Sequence, residues 1–242
     1  AMGNIYIGGY VEDADIWSGQ DIIIQDGVNA GENGRIEAMG NISARFFENA
    51  HIISHSDIKC DYMLNTTALA YGGIYLEGKR GSVIGGDVTG VRGICIKACG
   101  SESYSKTVLR VGVTKEISSE YAKVLMVLKD IDTQIDRFNQ ALQKLDILKK
   151  AGSDKFDETL NRKLLQSKIV KTAEKAKYEE KSRNLYTLVR ESDRAVVRID
   201  KNIYPGSRVF MGDKTYVPST VFTHIALKKT SQGVLIRNYD SM

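Results

Sequence analysis

Two pairs of potential metal ligands stand out in the chain. His51 and His55 in HIISH lie four residues apart, as do Cys95 and Cys99 in CIKAC. On an extended strand, residues four apart project to one side, and imidazole and thiolate are side chains that zinc prefers. A zinc site needs at least a third protein ligand, and neither pair has one in register. His224, the remaining histidine, falls in the tail. If Ile52 points inward, both histidines point outward and read as surface residues. If Ile94 and Ile96 point inward, both thiols face out as well. Cys60 occupies an inward repeat position and reads as a small core residue. Accordingly no catalytic residue, metal ligand or cofactor is assigned. The glycine-rich VIGG and GGDVTG at 83–90 lack a following Gly-Lys-Ser/Thr and open no helix, so they fail as a phosphate cradle.

The elements that would hold any such groups are glycine-cornered. The chain has 242 residues with 22 glycines against 2 prolines, which means many tight corners rather than linkers. A net charge of +4 is too slight to argue for nucleic acid or a membrane surface. Three cysteines cannot all pair, and a reducing cytoplasm suits them better than a disulfide framework. No apolar run reaches the roughly 20 residues of a spanning helix, and no signal peptide is visible. The leading Ala-Met sits directly before a repeat unit, so the chain reads as a piece of a longer protein.

That repeat sets the fold. Asn4-Ile5, Asp21-Ile22, Asn41-Ile42, Asp57-Ile58, Gly73-Ile74 and Asp87-Val88 align as equivalent dipeptides. A second apolar or small residue follows two positions on: Ile7, Ile24, Ala44, Cys60, Leu76 and Gly90. Further apolar sites lie six after the first (Val11, Val28, Leu64, Ile94) and six before it (Ile16, Ile36, Ile52, Ala68). Each unit is therefore three short strands turned by Gly or Asn/Asp corners. One such turn cannot bury its own inner face; stacking turns at about 4.8 Å builds a continuous core. The pattern predicts a β-solenoid, a parallel β-helix of six turns. Uneven corner lengths argue against a strict hexapeptide left-handed helix and for a right-handed one, as parallel crossovers favour. A β-sandwich is the competing fold, but sandwiches do not repeat their sequence.

From Lys115 the period changes to 3.5. Tyr121, Val124, Leu128, Ile131, Ile135, Phe138, Leu142 and Leu145 form an a/d seam. KKAGSD then stops the helix, with Gly152 past its end and Ser153 or Asp154 as the next N-cap. A second helix from about Lys155 to Arg194 carries Phe156, Leu160, Leu164 or Leu165, Ile169, Ala173, Ala176, Leu185 and Leu188 as its apolar line. The short loop makes the two an antiparallel hairpin or coiled coil, on the order of 50 Å long. AVVRIDKNIYPGSRVFMG then resumes the solenoid, and a hairpin around 230–233 caps it. The organisation is thus mainly β with an α insertion: coils at 1–114, helices at 115–194, and a return with a cap at 195–242.

FFENAHI, GKRGSVIGGDVTG, GICIKACGS and NIYPGSRVFMG, in that order around inserted helices, resemble the flagellar assembly protein A family over essentially the whole chain. The resemblance implies a bacterial cytoplasmic protein with a β-solenoid and long helices, tied in some members to flagellum assembly at the cell pole. Members usually carry a globular N-terminal domain ahead of the solenoid, which this chain lacks. No catalytic residues carry over. The reading is a non-enzymatic scaffold that works through protein partners or self-association along Leu128, Ile131, Ile135, Phe138, Leu142 and Leu145. Two other classes compete. One is a hexapeptide-type transferase or metal hydratase, which would need strict hexads and a convergent ligand set. The other is a nucleic-acid binder using the second helix, where 162–183 holds eight basic and three acidic residues.

Overall fold

A computed structural model describes residues 1–31, 34–113, 115–192 and 194–238. The strands follow one another in coils. The first is β1 (Ile5–Ile7), β2 (Val11–Glu12) and β3 (Ile16–Ser18); the second is β4 (Ile22–Ile24), β5 (Gly27–Asn29) and β6 (Arg35–Ala38). The third is β7 (Ile42–Ser43), β8 (Phe46–Glu48) and β9 (His51–Ser54). In the fourth, β10 (Ile58–Cys60) is followed by β11 (Tyr62–Ala70), a long strand that covers two faces. The fifth repeats that plan with β12 (Gly73–Leu76) and β13 (Ser82–Gly90), and the sixth is β14 (Gly93–Cys99) with β15 (Thr107–Val111). Two helices intervene, α1 (Lys115–Lys150) and α2 (Glu158–Ser192), before a seventh coil of β16 (Val196–Ile203) and β17 (Ser207–Met211).

All of these coil strands pair in parallel with their equivalents above and below, giving a parallel β-solenoid. Three inward columns result. One is Ile5, Ile22, Ile42, Ile58, Ile74, Ile94 and Val197. A second is Val11, Val28, Phe47, Met63, Val83, Cys99 and Ile203. The third is Ile16, Ile36, Ile52, Ala68, Val88, Leu109 and Val209. From Ile22 to Val197 the first column is wholly buried, the continuous core that single coils lack.

The columns correct the sequence reading in its upper part. Val88 belongs to the third column, and Ile94 is the sixth member of the first. Gly90 likewise stacks on Ala70 at the corner that follows the third column, while Met63, not Leu64, points inward in the second. The cause is the long strand β13, whose period-2 alternation offers several apolar sites per coil. Nothing in the local pattern says which of them follows a given corner.

Hydrogen bonds explain the recurring Asn/Asp. The Asn4 Oδ1 accepts the Asp21 N–H at 3.0 Å, Asp21 Oδ1 that of Asn41 at 2.6 Å, Asn41 Oδ1 that of Asp57 at 3.2 Å, and Asp57 Oδ1 that of Gly73 at 2.7 Å. Each corner side chain satisfies a backbone donor one coil further on, which otherwise lacks a ladder partner. The ladder also dictates glycine beside it: a Cβ on Gly40 or Gly72 would meet the carboxylate oxygen of Asp21 or Asp57 at 2.1 Å. A second corner alternates Ser18, Ala38, Ser54 and Ala70 in register. Ser18 Oγ donates to Gly3 and Asp21 carbonyls, and Ser54 Oγ to those of Gly40 and Asp57. One buried hydroxyl thus ties two coils, so every second coil needs only a methyl there.

After the seventh coil, β18 (Lys214–Tyr216) turns back antiparallel on β17, and β19 (Phe222–Lys229) lies antiparallel on β16. β20 (Val234–Asn238) pairs with β19 through a turn closed by Thr230 and Gly233. Antiparallel strands end the stacking direction and so remove the parallel edge of the last coil.

The described residues divide into two compact units, 1–114 with 188–242, and 115–187. In the first unit the helices leave from a corner that elsewhere takes a few residues, between the third face of one coil and the first face of the next. The two ends of the insertion lie together there: a Cβ on Gly112 would stand 3.8 Å from Ser192 Cβ. Gly152, at φ +60°, ends the turn after α1, and its left-handed conformation is one that glycine adopts freely. Asp157, rather than Ser153 or Asp154, caps α2, its Oδ1 accepting the Leu160 N–H at 3.0 Å. Ser153 instead accepts the Lys155 N–H within the connecting turn.

Candidate interaction surface

The histidine pair stands on the outer wall. His51 and His55 are exposed, and His55 stacks on Tyr71 with ring centroids 4.9 Å apart while its Nε2 lies 3.7 Å from Glu37. The cysteines do not share a face. Cys95 is half-buried on the wall, but Cys99 is fully buried in the second column. Between them β14 shifts register against β16 and turns the corner at Lys97, which reverses the alternation for everything after it. Burial pushes the Cys99 thiol up to about 12, and it pushes Cys60 and Cys95 upward too. These are protonated thiols, poor nucleophiles and poor ligands. No group of three or more His, Cys, Asp or Glu side chains is placed to hold a metal among the described residues. The glycines of GGDVTG lie within β13, in the wall. His224 is in β19, and its Nδ1 sits 3.0 Å from the Asp200 carbonyl oxygen. Tyr204 accepts a hydrogen bond from Asn202 at its corner, whereas the Tyr216 hydroxyl is buried without a hydrogen-bond partner among the described residues.

The helical unit carries the more informative surface. Asp132 of α1 meets Lys175 of α2 at 2.7 Å, and Glu120 meets Lys181 at 2.6 Å. Later residues of α1 therefore face earlier residues of α2, as in an antiparallel pair. Along α1, Val124, Ile131 and Leu145 are buried, and Tyr121, Leu128, Ile135, Phe138 and Leu142 are half-buried. No member of that seam is exposed, so the second helix covers it further than its sequence promises.

What covers it was not legible. Along α2 a line of residues that are not exposed runs Asn161, Leu164, Lys168, Lys171, Lys175, Tyr178, Ser182 and Leu185, in unbroken 3,4 spacing. The line expected from hydrophobicity is instead turned outward for much of its length. Leu165 is 44 % exposed and Ile169 68 %, Ala173 and Ala176 are exposed, and Val170 beside them is 64 % exposed. Lysine can occupy the inner line because its methylene stem covers apolar surface while its ammonium reaches the rim. Lys175 reaches Asp132 and Glu179 there, and Lys171 reaches Glu174 at 2.8 Å. Next to the Lys181–Glu120 pair, a groove of about 730 Å³ is lined by Lys123, Val124, Val127 and Tyr178.

Residues 1–232 match the family model of the Flagellar Assembly Protein A beta solenoid domain. The chain belongs to that family. The comparison with curated proteins and the comparison with solved structures each returned no match. The matched range includes both helices and the seventh coil. No helix among the described residues is long and apolar enough to cross a membrane.

Proposed function

We propose that this chain is a non-enzymatic scaffold for bacterial flagellum assembly, working in the cytoplasm and at the cell pole. The solenoid serves as a stiff column, and the helical hairpin is the surface that partner proteins hold. Membership of the Flagellar Assembly Protein A beta solenoid family carries the assembly reading. The hairpin is favoured as the contact surface because the aliphatic Leu165, Ile169 and Val170 lie exposed within one stretch of α2, whereas the coils expose chiefly aromatic side chains with a polar edge, Tyr6, Tyr10, Trp17 and Tyr104, beside Ile23 and Met39. Exposed apolar side chains grouped on one element usually mark an interface. The nucleic-acid reading of α2 loses ground because Lys171, Lys175 and Lys181 are engaged by carboxylates of the hairpin itself.

The test removes the hairpin. Gly112 and Ser192 lie together, so replacing 116–194 by a short Gly-Ser linker leaves the coils able to stack. The shortened protein keeps its β circular dichroism and loses its capture of partners from a lysate of the native bacterium. A shortened protein that still captures the parent's partners and keeps its oligomeric state overturns the reading.

A further inference from the structure

We propose that the outward line of α2, Leu165, Ile169, Ala173 and Ala176, is the docking face for an acidic amphipathic helix of a partner protein. The proposal rests on the hairpin being the partner surface. It names a different face of that hairpin from the α1 seam.

Spacings of 4, 4 and 3 put the four residues on one side of the helix over about 16 Å. Their orientation is unusual for a hairpin left to itself. Turning α2 about its axis would bury this line and release lysines 168, 171 and 175 to water, yet the lysines face inward and Ile169 is the more exposed. An amphipathic helix that turns apolar residues outward presents them to something else.

The charges around the line say what kind of helix fits. Between 160 and 178 the basic residues are Arg162, Lys163, Lys168, Lys171, Lys175 and Lys177, and the only acidic one is Glu174, already held by Lys171. Exposed Lys163 and Lys177 have no ion-pair partner among the described residues. Two copies of this face brought together would set those cations against each other, whereas Glu or Asp beside a partner's apolar seam would neutralise them. The line ends in alanines, which let helix axes approach to the close end of the 8–10 Å range. It also carries none of the Trp or Phe side chains with which interfacial helices anchor in lipid.

The probe is a fluorescein-labelled peptide of about four heptads, with Leu at the a and d positions and Glu at e and g. Fluorescence anisotropy with the full chain shows binding that weakens as NaCl rises from about 50 to 300 mM. Ile169→Asp, on an exposed site, weakens it at least about tenfold with the helical circular dichroism retained. The double change Lys163→Glu with Lys177→Glu does the same, and a second apolar variant, Leu165→Lys, guards against a local effect of Asp. The proposal is overturned if the peptide does not bind, or if a version with Lys at e and g binds equally well. Preference for anionic vesicles or duplex DNA over the peptide overturns it too, as does self-association that Ile169→Asp abolishes. If the hairpin deletion still removes partner capture, such a result sinks this face alone and leaves the assembly reading in place.

Discussion

Ile58 offers the sharpest test of the stacked core. It is fully buried, held in register between Ile42 below and Ile74 above. Replacing it by Ala removes three carbons, worth about 2.4 kcal/mol at ~0.8 kcal/mol each. The neighbouring coils are tied at their corners by the Asn41 and Asp57 hydrogen bonds, so they cannot close the gap. A residual void of roughly 60 Å³ then adds about 1.4 kcal/mol. The expected loss is about 4 kcal/mol, and with an m-value near 2 kcal/mol per M the urea midpoint falls by about 2 M. Ile58→Asp costs more, because it leaves a buried carboxylate unpaired. His51→Ala, on the exposed wall of the previous coil, changes stability by less than about 0.5 kcal/mol. Urea melts followed by circular dichroism at the β minimum measure both. Equal losses, or a loss under about 1 kcal/mol for Ile58→Ala, would refute the register and with it the three-column core.

Other consequences follow from the corners, the thiols and the cap. Asn41→Ala leaves the Asp57 N–H without its acceptor and costs about 1 kcal/mol, and Asn41→Asp, which keeps that oxygen but replaces the amide donor to Asp21 Oδ1 by a second carboxylate, is no milder; melts of the two variants compare them. With a thiol reagent at pH 8, native protein modifies at Cys95 alone, and Cys60 and Cys99 react only after denaturation; mass spectrometry of the adducts reads this. Because folding raises the Cys99 thiol from 9.0 to about 12, the unfolded chain ionises first. Stability is therefore full below pH 9 and declines from there towards pH 12, a decline that Cys99→Ala reduces. Asp213 behaves oppositely: hydrogen bonds from Lys229 and Lys214 hold it down at about 2. Its contribution is present above pH 3.8 and is lost as pH falls through 2, and Asp213→Asn flattens that acid limb. Elemental analysis of the purified protein gives a zinc-to-chain ratio near zero; a ratio near one would revive the hydratase or transferase class.

Sequence alone determined the architecture, because a solenoid repeats one local rule. Ile5, Ile22, Ile42, Ile58 and Ile74 share a context of Asn, Asp or Gly before them and an apolar or small residue two after, and stacking like on like is the way such short strands bury one face. The heptad line on α1 was legible because its apolar residues recur in 3,4 spacing for most of the helix, whereas Leu125, Met126 and Ile147 beside it do not and are exposed. Tertiary structure decided the matters in which several placements satisfy one pattern. The alternation left Val88 of β13 and Ile94 of β14 equally suited to the first column, and only the corner between them assigned each its place. The register shift between β14 and β16 beyond Ile96 sent Cys99 inward while Cys95 stayed on the wall. On α2, hydrophobicity pointed to Leu165 and Ile169, but which side of a helix faces its neighbour depends on the neighbour. Lys175 and Lys181 pair with Asp132 and Glu120 across the hairpin, and the apolar line faces out. Hydrophobic periodicity measures how well a face would bury; it does not say against what, and here that difference separates the hairpin's interior from its proposed binding face.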